Sequence, residues 1–477
     1  MTIRKISPVL AVIGWVSFGV FAQAPIALTA SVRKARVLVG EGIAINLHLK
    51  VLSALEMETV ERNRDRTTVT IETLTGGAPQ RLSGKDYVSL HKRHPLDQIG
   101  EKFRSQTGAA WDAQLNLLDY AKPLAVGRYR ISIAYRWGNE PAAVVKANPV
   151  EVVVAPTQML SLSARWMGGT TAREQLASLW KADDSGKVHW FYTVADRRDP
   201  SVLTSSVDLG IVDAPAAVKP SLAHINDIAE NQFDRIAVWV DGERLCWWRV
   251  NALDPPAVPR SCLDLNFDSK QPILLADPPL QLRDGGLAAV VTGVGRSGPM
   301  AMWIHLGKDG KSDVRNRPIQ SPGLGAIVWK EAEDSPSGTL YIASPSGRIS
   351  RMESAGKEQP VFDAAGQQVL LTQTQWLGNG LVFGVFRRGQ NLEVQRFGPG
   401  APEKLSSWSM PDGWRIEQAE GFNAGVAVVC RTVSGGLAVF DSKGMHQFKS
   451  GTVVATPTSL ILIEHRRGQG FVITPVN

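Results

Sequence analysis

From about residue 188 the chain keeps returning to one plan. In residues 338–352, GTLYIASPSGRISRM, Leu340 and Ile342 alternate with Thr339, Tyr341 and Ala343. Ser344-Pro-Ser-Gly347 supplies turn chemistry, and Ile349 resumes the alternation. The same order of apolar run, polar or glycine-rich turn and second apolar run recurs at 188–210, 236–250, 287–310, 380–398, 425–444 and 460–476. A single two-stranded hairpin is marginal in water. Strands apolar on both faces need cover on both sides, and only neighbouring copies of the same unit can supply it here.

Between the hairpins lie further short strands, such as 359–364 and 368–377 after the fourth copy, so each unit holds about four strands. Residues 157–477 divided among seven units give about 46 residues each, the size of a four-stranded propeller blade. The chain therefore resembles β-propeller repeat proteins. Seven blades is the expected number, and six larger blades is the alternative if one weak repeat is not a blade. The last copy ends at Asn477 with no room for a fourth strand. Because an open edge invites aggregation, the alternating segment 159–165 is expected to pair with the C-terminal blade and close the ring.

Residues 1–22 read as a signal peptide. Arg4 and Lys5 precede an apolar run of about 16 residues, and Val20-Phe-Ala22 is a small-x-small cleavage site. The run is short for a membrane span of about 20 residues, and no later stretch is apolar enough to span, so the mature chain is expected in the periplasm or medium. Residues 26–155 read as a β-sandwich. Gly127-Arg-Tyr129 leads into a long alternating late strand, which resembles immunoglobulin-like sandwiches and places Tyr129 where such folds carry a corner tyrosine. An insertion at 87–120 interrupts this unit. His91, Lys92, Arg93, His94, Lys102, Arg104 and Trp111 make it a candidate partner-contact loop, with inward packing of Leu115, Leu117 and Leu118 as the plainer alternative. Lys92 and Arg93 would repel a metal at the flanking histidines, so no metal is expected there.

The formal charge of +7 falls to about +5 without Arg4 and Lys5. The basic residues are scattered, which suits a solvated surface and gives no nucleic-acid footprint. Cys246 and Cys262 flank a proline-rich turn at 254–259 in neighbouring apolar segments, and an exported chain meets oxidising conditions, so a disulfide between them is expected. Cys430 is then a buried free thiol. Eleven of the 14 tryptophans fall in the repeat region and are read as inter-blade core. Their recurrence with glycine faintly resembles quinoprotein-like propellers. The fuller repeat of that family is not kept, so the resemblance implies the fold and no cofactor. Residues 181–190, KADDSGKVHW, resemble the Asp-box turn of sialidase-like propellers at Asp184 and Gly186 only, and are read as an ordinary hairpin turn.

No nucleophile elbow, phosphate loop or Cys-x-x-Cys pair appears, so no catalytic residue is assigned. The expected function is an exported, non-enzymatic binding or scaffold protein that uses propeller loops and the sandwich to hold a protein or a cell-envelope polymer. The alternative is a cell-envelope enzyme, a lyase or glycoside hydrolase, with its site on the channel face of the propeller. It requires paired carboxylates, or a His–carboxylate pair, with displaced pKa values.

Overall fold

The computed structural model describes residues 25–53, 67–83, 107–121, 123–137, 143–167, 173–184, 187–196, 206–212, 218, 220–225, 235–250, 260–268, 270–282, 285–307, 309, 311–330, 337–374, 380–398, 400–422, 425–455, 460–466 and 470–476. Residues 1–22, read from sequence as a signal peptide, lie outside them. Strands dominate, no α-helix is present among the described residues, and no helix there is long and apolar enough to cross a membrane.

Strict alternation builds the N-terminal β-sandwich. In Gly127–Arg136, Tyr129, Ile131, Ile133 and Tyr135 are buried while the residues between them face outward. One sheet orders Ile26–Val32, Ala44–Val51 and Ala110–Asn116. The other orders Arg36–Leu38, Val150–Ala155, Gly127–Arg136, Thr67–Thr73 and Gln80–Ser83, with Val144–Lys146 also on Gly127–Arg136. Their inner faces meet in a single core that includes Ile45, Leu47, Val69, Leu115, Ile131 and Tyr135. The Tyr129 hydroxyl donates to Ala125 O at 2.8 Å.

A β-propeller follows, with seven further sheets among the described residues. Their order is plain in the fourth, where Leu324–Lys330, Ser337–Ala343, Arg348–Glu353 and Gln359–Asp363 pair antiparallel in sequence. Leu340 and Ile342 on one face join the third sheet's Val290 and Trp303. Tyr341 and Ala343 on the other join the fifth sheet's Val382 and Phe386. The turn between the central strands closes with Gly347 N–H donating to Ser344 O at 2.9 Å. Gly347 has φ +85°, and a Cβ there would lie 2.4 Å from Gln367 O, so glycine is required.

Every seam of the ring is filled in this way. Shared apolar clusters join the first sheet to the second, and so on to the sixth and seventh. A last cluster joins the seventh back to the first. Each fully buried Val, Leu, Ile or Phe contributes about 1.5–3 kcal/mol, so these seams carry much of the stability. Tryptophans are part of them. Trp180, Trp190, Trp239, Trp248, Trp303 and Trp329 are buried. Trp190 meets Trp239 edge-on across the first seam at 4.9 Å, and Trp303 meets Trp329 edge-on between the third and fourth sheets at 6.2 Å.

Two expectations are corrected. Residues 159–165 do not pair with the C-terminal strands; they lie in Thr157–Met167, whose partner is Arg173–Asp184. That segment is the first strand of the first sheet, and among the described residues the seventh sheet has three strands, Thr452–Ala455, Leu460–Arg466 and Gly470–Pro475. The repeat at 188–210 is not a central pair either. Lys187–Asp196 and Ser206–Ile211 are the third and fourth strands, because Arg173–Asp184 precedes them and pairs with Lys187–Asp196 as far as Asp184↔Lys187. That register also pairs residues 181–184 antiparallel with 187–190.

Candidate functional site

The outer face of the first sandwich sheet is a polar ladder. The register that buries Ile45, Leu47 and Leu49 turns Asn46 and His48 outward. Antiparallel pairing then sets Thr29, His48 and Asp112 in one cross-strand row, and Ser31, Asn46 and Gln114 in the next. Rows on one face are about 6.8 Å apart and strands about 4.8 Å apart, so the six side chains form a compact grid. His48 Nδ1 lies 2.8 Å from Asp112 Oδ1, and both side chains are open to water, at 47% and 88%. Gln114 Nε2 donates to Asn46 Oδ1 at 3.1 Å, which leaves the other half of each amide unused by that bond. Asn148 closes one side. Its Oδ1 accepts the Ala30 N–H at 2.9 Å and its Nδ2 donates to Ala30 O at 2.8 Å, taking the place of a strand neighbour. The grid lines a concavity of about 730 Å³. It offers alternating donors and acceptors with a single carboxylate, suited to hydroxyl- or amide-bearing ligands and unsuited to polyanions.

A second polar group lies toward the axis of the ring. The first strands of consecutive sheets touch one another there. Parallel bridges join them at Asp277↔Ala326 and Thr374↔Gly421, and a short parallel pairing joins His224–Ile225 to Leu280–Gln281. Asp277 N–H donates to Gly325 O at 3.0 Å, and Ile327 N–H donates to Asp277 O at 3.2 Å. The Ser221 hydroxyl donates to Asp277 Oδ1. On the sixth sheet Gln418 Nε2 donates to Glu420 Oε1 and, at 3.3 Å, to Val453 O. Ala455 N–H donates to Glu420 Oε2 at 3.4 Å. Gly421 sits so close to the fifth sheet that a Cβ would fall 2.3 Å from Gln373 O.

The electrostatics of the two acids follow from that position. Asp277 is open to water yet surrounded by protein, and burial raises its pKa against the lowering effect of the Ser221 bond. Burial pushes Glu420 up to about 7, and the Asp277 charge adds to the push. Glu420 therefore keeps its proton to a higher pH than an exposed glutamate. Both side chains also tie neighbouring sheets together, Asp277 the second to the third and Glu420 the sixth to the seventh.

The residues singled out from sequence fare differently. Cys246 and Cys262 are opposite one another on Arg244–Val250 and Ser261–Asp264 and form the expected disulfide, with Cα atoms 4.1 Å apart. Cys430 is a buried free thiol whose pKa burial raises to about 12. His91, Lys92, Arg93, His94, Lys102 and Arg104 lie outside the described residues. Trp111 belongs to Ala110–Asn116 and packs against the sandwich core, as do Leu115 and Leu117. Two of the repeat-region histidines lie near an acid within their own sheet, His189 at 3.5 Å from Asp208 and His446 at 3.6 Å from Asp441. Among the described residues no group of three His, Cys, Asp or Glu side chains could hold a metal ion. Sequence reasoning passed over both polar groups. The only local signal was the polar half of the alternation at Asn46 and His48, and its partners lie 64 and 68 residues away.

No protein-family model and no curated protein matches the chain. Among solved structures it is similar to AofleA from Arthrobotrys oligospora, at 10% identity over 63% of this chain and 92% of that one, with a TM-score of 0.38. It is also similar to a fucose-specific lectin from Aleuria aurantia, at 12% identity over 61% and 96%, with a TM-score of 0.34. A third is the dihydro-heme d1 dehydrogenase NirN, at 13% identity over 83% and 75%, with a TM-score of 0.35.

Proposed function

We propose that the chain is an exported, non-enzymatic binding protein, periplasmic or secreted, that holds a cell-envelope polymer against the polar face of its sandwich. The observation that carries this reading is the pair of cross-strand rows, Thr29–His48–Asp112 and Ser31–Asn46–Gln114, in one concavity. Amides, hydroxyls and one imidazole–carboxylate pair match the paired donor and acceptor of each sugar hydroxyl or peptide amide. The sandwich is immunoglobulin-like, a reading supported by its two-sheet core and the Tyr129 bond to Ala125. The ring is seven-bladed rather than six-bladed, supported by seven sheets that pack in cyclic order.

A second reading is a polymer-cleaving enzyme, favoured by Asp277 and Glu420, two acids with raised pKa values and mutual repulsion. Binding is preferred because each carboxylate is engaged in a tie between sheets.

One experiment addresses both. The mature chain is mixed with isolated peptidoglycan, and pelleted protein and soluble fragments are measured. Binding predicts retention that falls about tenfold in Asn46→Ala/Gln114→Ala, with no fragments released, since loss of two hydrogen-bonding side chains costs about 1–2 kcal/mol. Unchanged retention in the double variant, or none in the parent chain, overturns the sandwich site. Fragment release abolished by Glu420→Gln establishes the enzyme.

A further inference from the structure

The seam between the first and seventh sheets differs from the others. As at most of the others, no strand is shared across it among the described residues; the difference is in what fills it. Six seams are filled by the two sheets they join and their connecting turns. The closing seam takes Trp180, Ala182 and Phe191 from the first sheet and Val454, Ile461 and Ile463 from the seventh, and completes itself with Leu38 and Ala155 of the sandwich. These two are the last rung of the parallel pairing between Arg36–Leu38 and Val150–Ala155, and they are 0% and 1% exposed. Two sandwich strands therefore end inside the ring's core.

A buried ionic peg lies beside this wedge. The Glu41 carboxylate accepts the Leu38 N–H at 3.0 Å, the Ser206 N–H at 2.7 Å and the Ser206 hydroxyl at 2.5 Å. Lys34 Nζ supplies the countercharge at 2.5 Å. Glu41 is 4% exposed and Ser206 0%. A buried carboxylate persists only when its oxygens are satisfied and its charge is paired. Here the partners come from both sides of the domain boundary, since Ser206 opens the fourth strand of the first sheet. Its two bonds to Ser206 exist only while the sandwich is seated on the first sheet.

We propose that the sandwich is the clasp of the propeller. Leu38 and Ala155 fill the closing seam, Glu41 pins the first sheet to them, and the ring closes through this third body instead of through a shared strand. The polar face of the sandwich is then held at a fixed angle to the ring, and release of the clasp opens the seam first.

Hydrogen exchange on the full chain tests this with Leu38→Asp, the milder Glu41→Gln, and Ile133→Ala as a control in the sandwich core away from the seam. At matched global stability, set by denaturant, amides of Leu460–Arg466 and Arg173–Asp184 are expected to exchange at least tenfold faster in the clasp variants than in the control. Val382–Arg388, on the far side of the ring, is expected to stay unchanged. Exchange at the closing seam no faster in Glu41→Gln than in Ile133→Ala overturns the proposal, whether or not Leu38→Asp folds.

Discussion

Glu420 keeps its proton at a pH where an exposed glutamate has lost it, and the sign of the effect on stability follows. Its folded pKa of about 7 lies above its ordinary value of 4.5, so the folded state binds the extra proton between the two. Stability is full below pH 4.5 and falls as pH rises through 7, the reverse of an ion-paired acid. Allowing for partial exposure, the loss is about 2 kcal/mol. Asp277 contributes in the same direction. Glu420→Gln is expected to match the parent in thermal unfolding at pH 5 and exceed it at pH 8. Identical melting differences at the two pH values would show that the carboxyl is not desolvated. The burial that matters here was illegible in the sequence, where Arg-Ile-Glu-Gln-Ala-Glu-Gly reads as a solvated strand.

At the scale of the element, hairpins with local turn chemistry were legible and strand partners chosen at long range were not. Val382–Arg388 and Asn391–Phe397 meet across two residues, Gly389 and Gln390, so their pairing is written in adjacent positions. The first sheet misled because Arg173–Asp184 carries Arg, Glu and Gln at one end and two Asp at the other, which hides its apolar Leu-Ala-Ser-Leu-Trp centre. Thr157–Met167 then seemed to lack a partner that sits directly after it. The disulfide was readable because Cys246 and Cys262 are on neighbouring strands. It closes a loop with a sequence separation of 16 residues, for which chain-entropy reasoning gives about 3 kcal/mol. Cys246→Ser/Cys262→Ser is expected to lose about 2–3 kcal/mol in denaturant titration. Alkylation of the unreduced native chain should leave all three cysteines unlabelled, two because they are bonded and Cys430 because it is buried. Label on Cys262 in the unreduced protein would contradict the bond.

The whole molecule was half legible. A repeating four-strand unit implies a ring because only a ring covers every blade face, and that argument needs no coordinates. The manner of closure was not legible, since it depends on Leu38 and Glu41, which belong to a unit of different texture more than 100 residues upstream of the seventh sheet. Nor was the candidate binding face, which comes into being only when Ala44–Val51 pairs with Ala110–Asn116, a strand inside the segment read as an insertion.

The missing shared strand also governs how the molecule answers to force. A ring zipped by a strand from each end resists tension with a whole ladder of backbone hydrogen bonds loaded in shear. Among its described residues this ring offers no such ladder at its join. Tension applied at the C-terminus acts on side-chain contacts at the closing seam, then strips Gly470–Pro475 from Leu460–Arg466 one rung at a time. Optical-trap extension from the C-terminus is therefore expected to begin with a small, low-force step of one three-stranded sheet. A single high-force rupture of the entire propeller would show that the join is stronger than packing alone provides. The ring has a weakest link, and it is the seam between its first and seventh sheets.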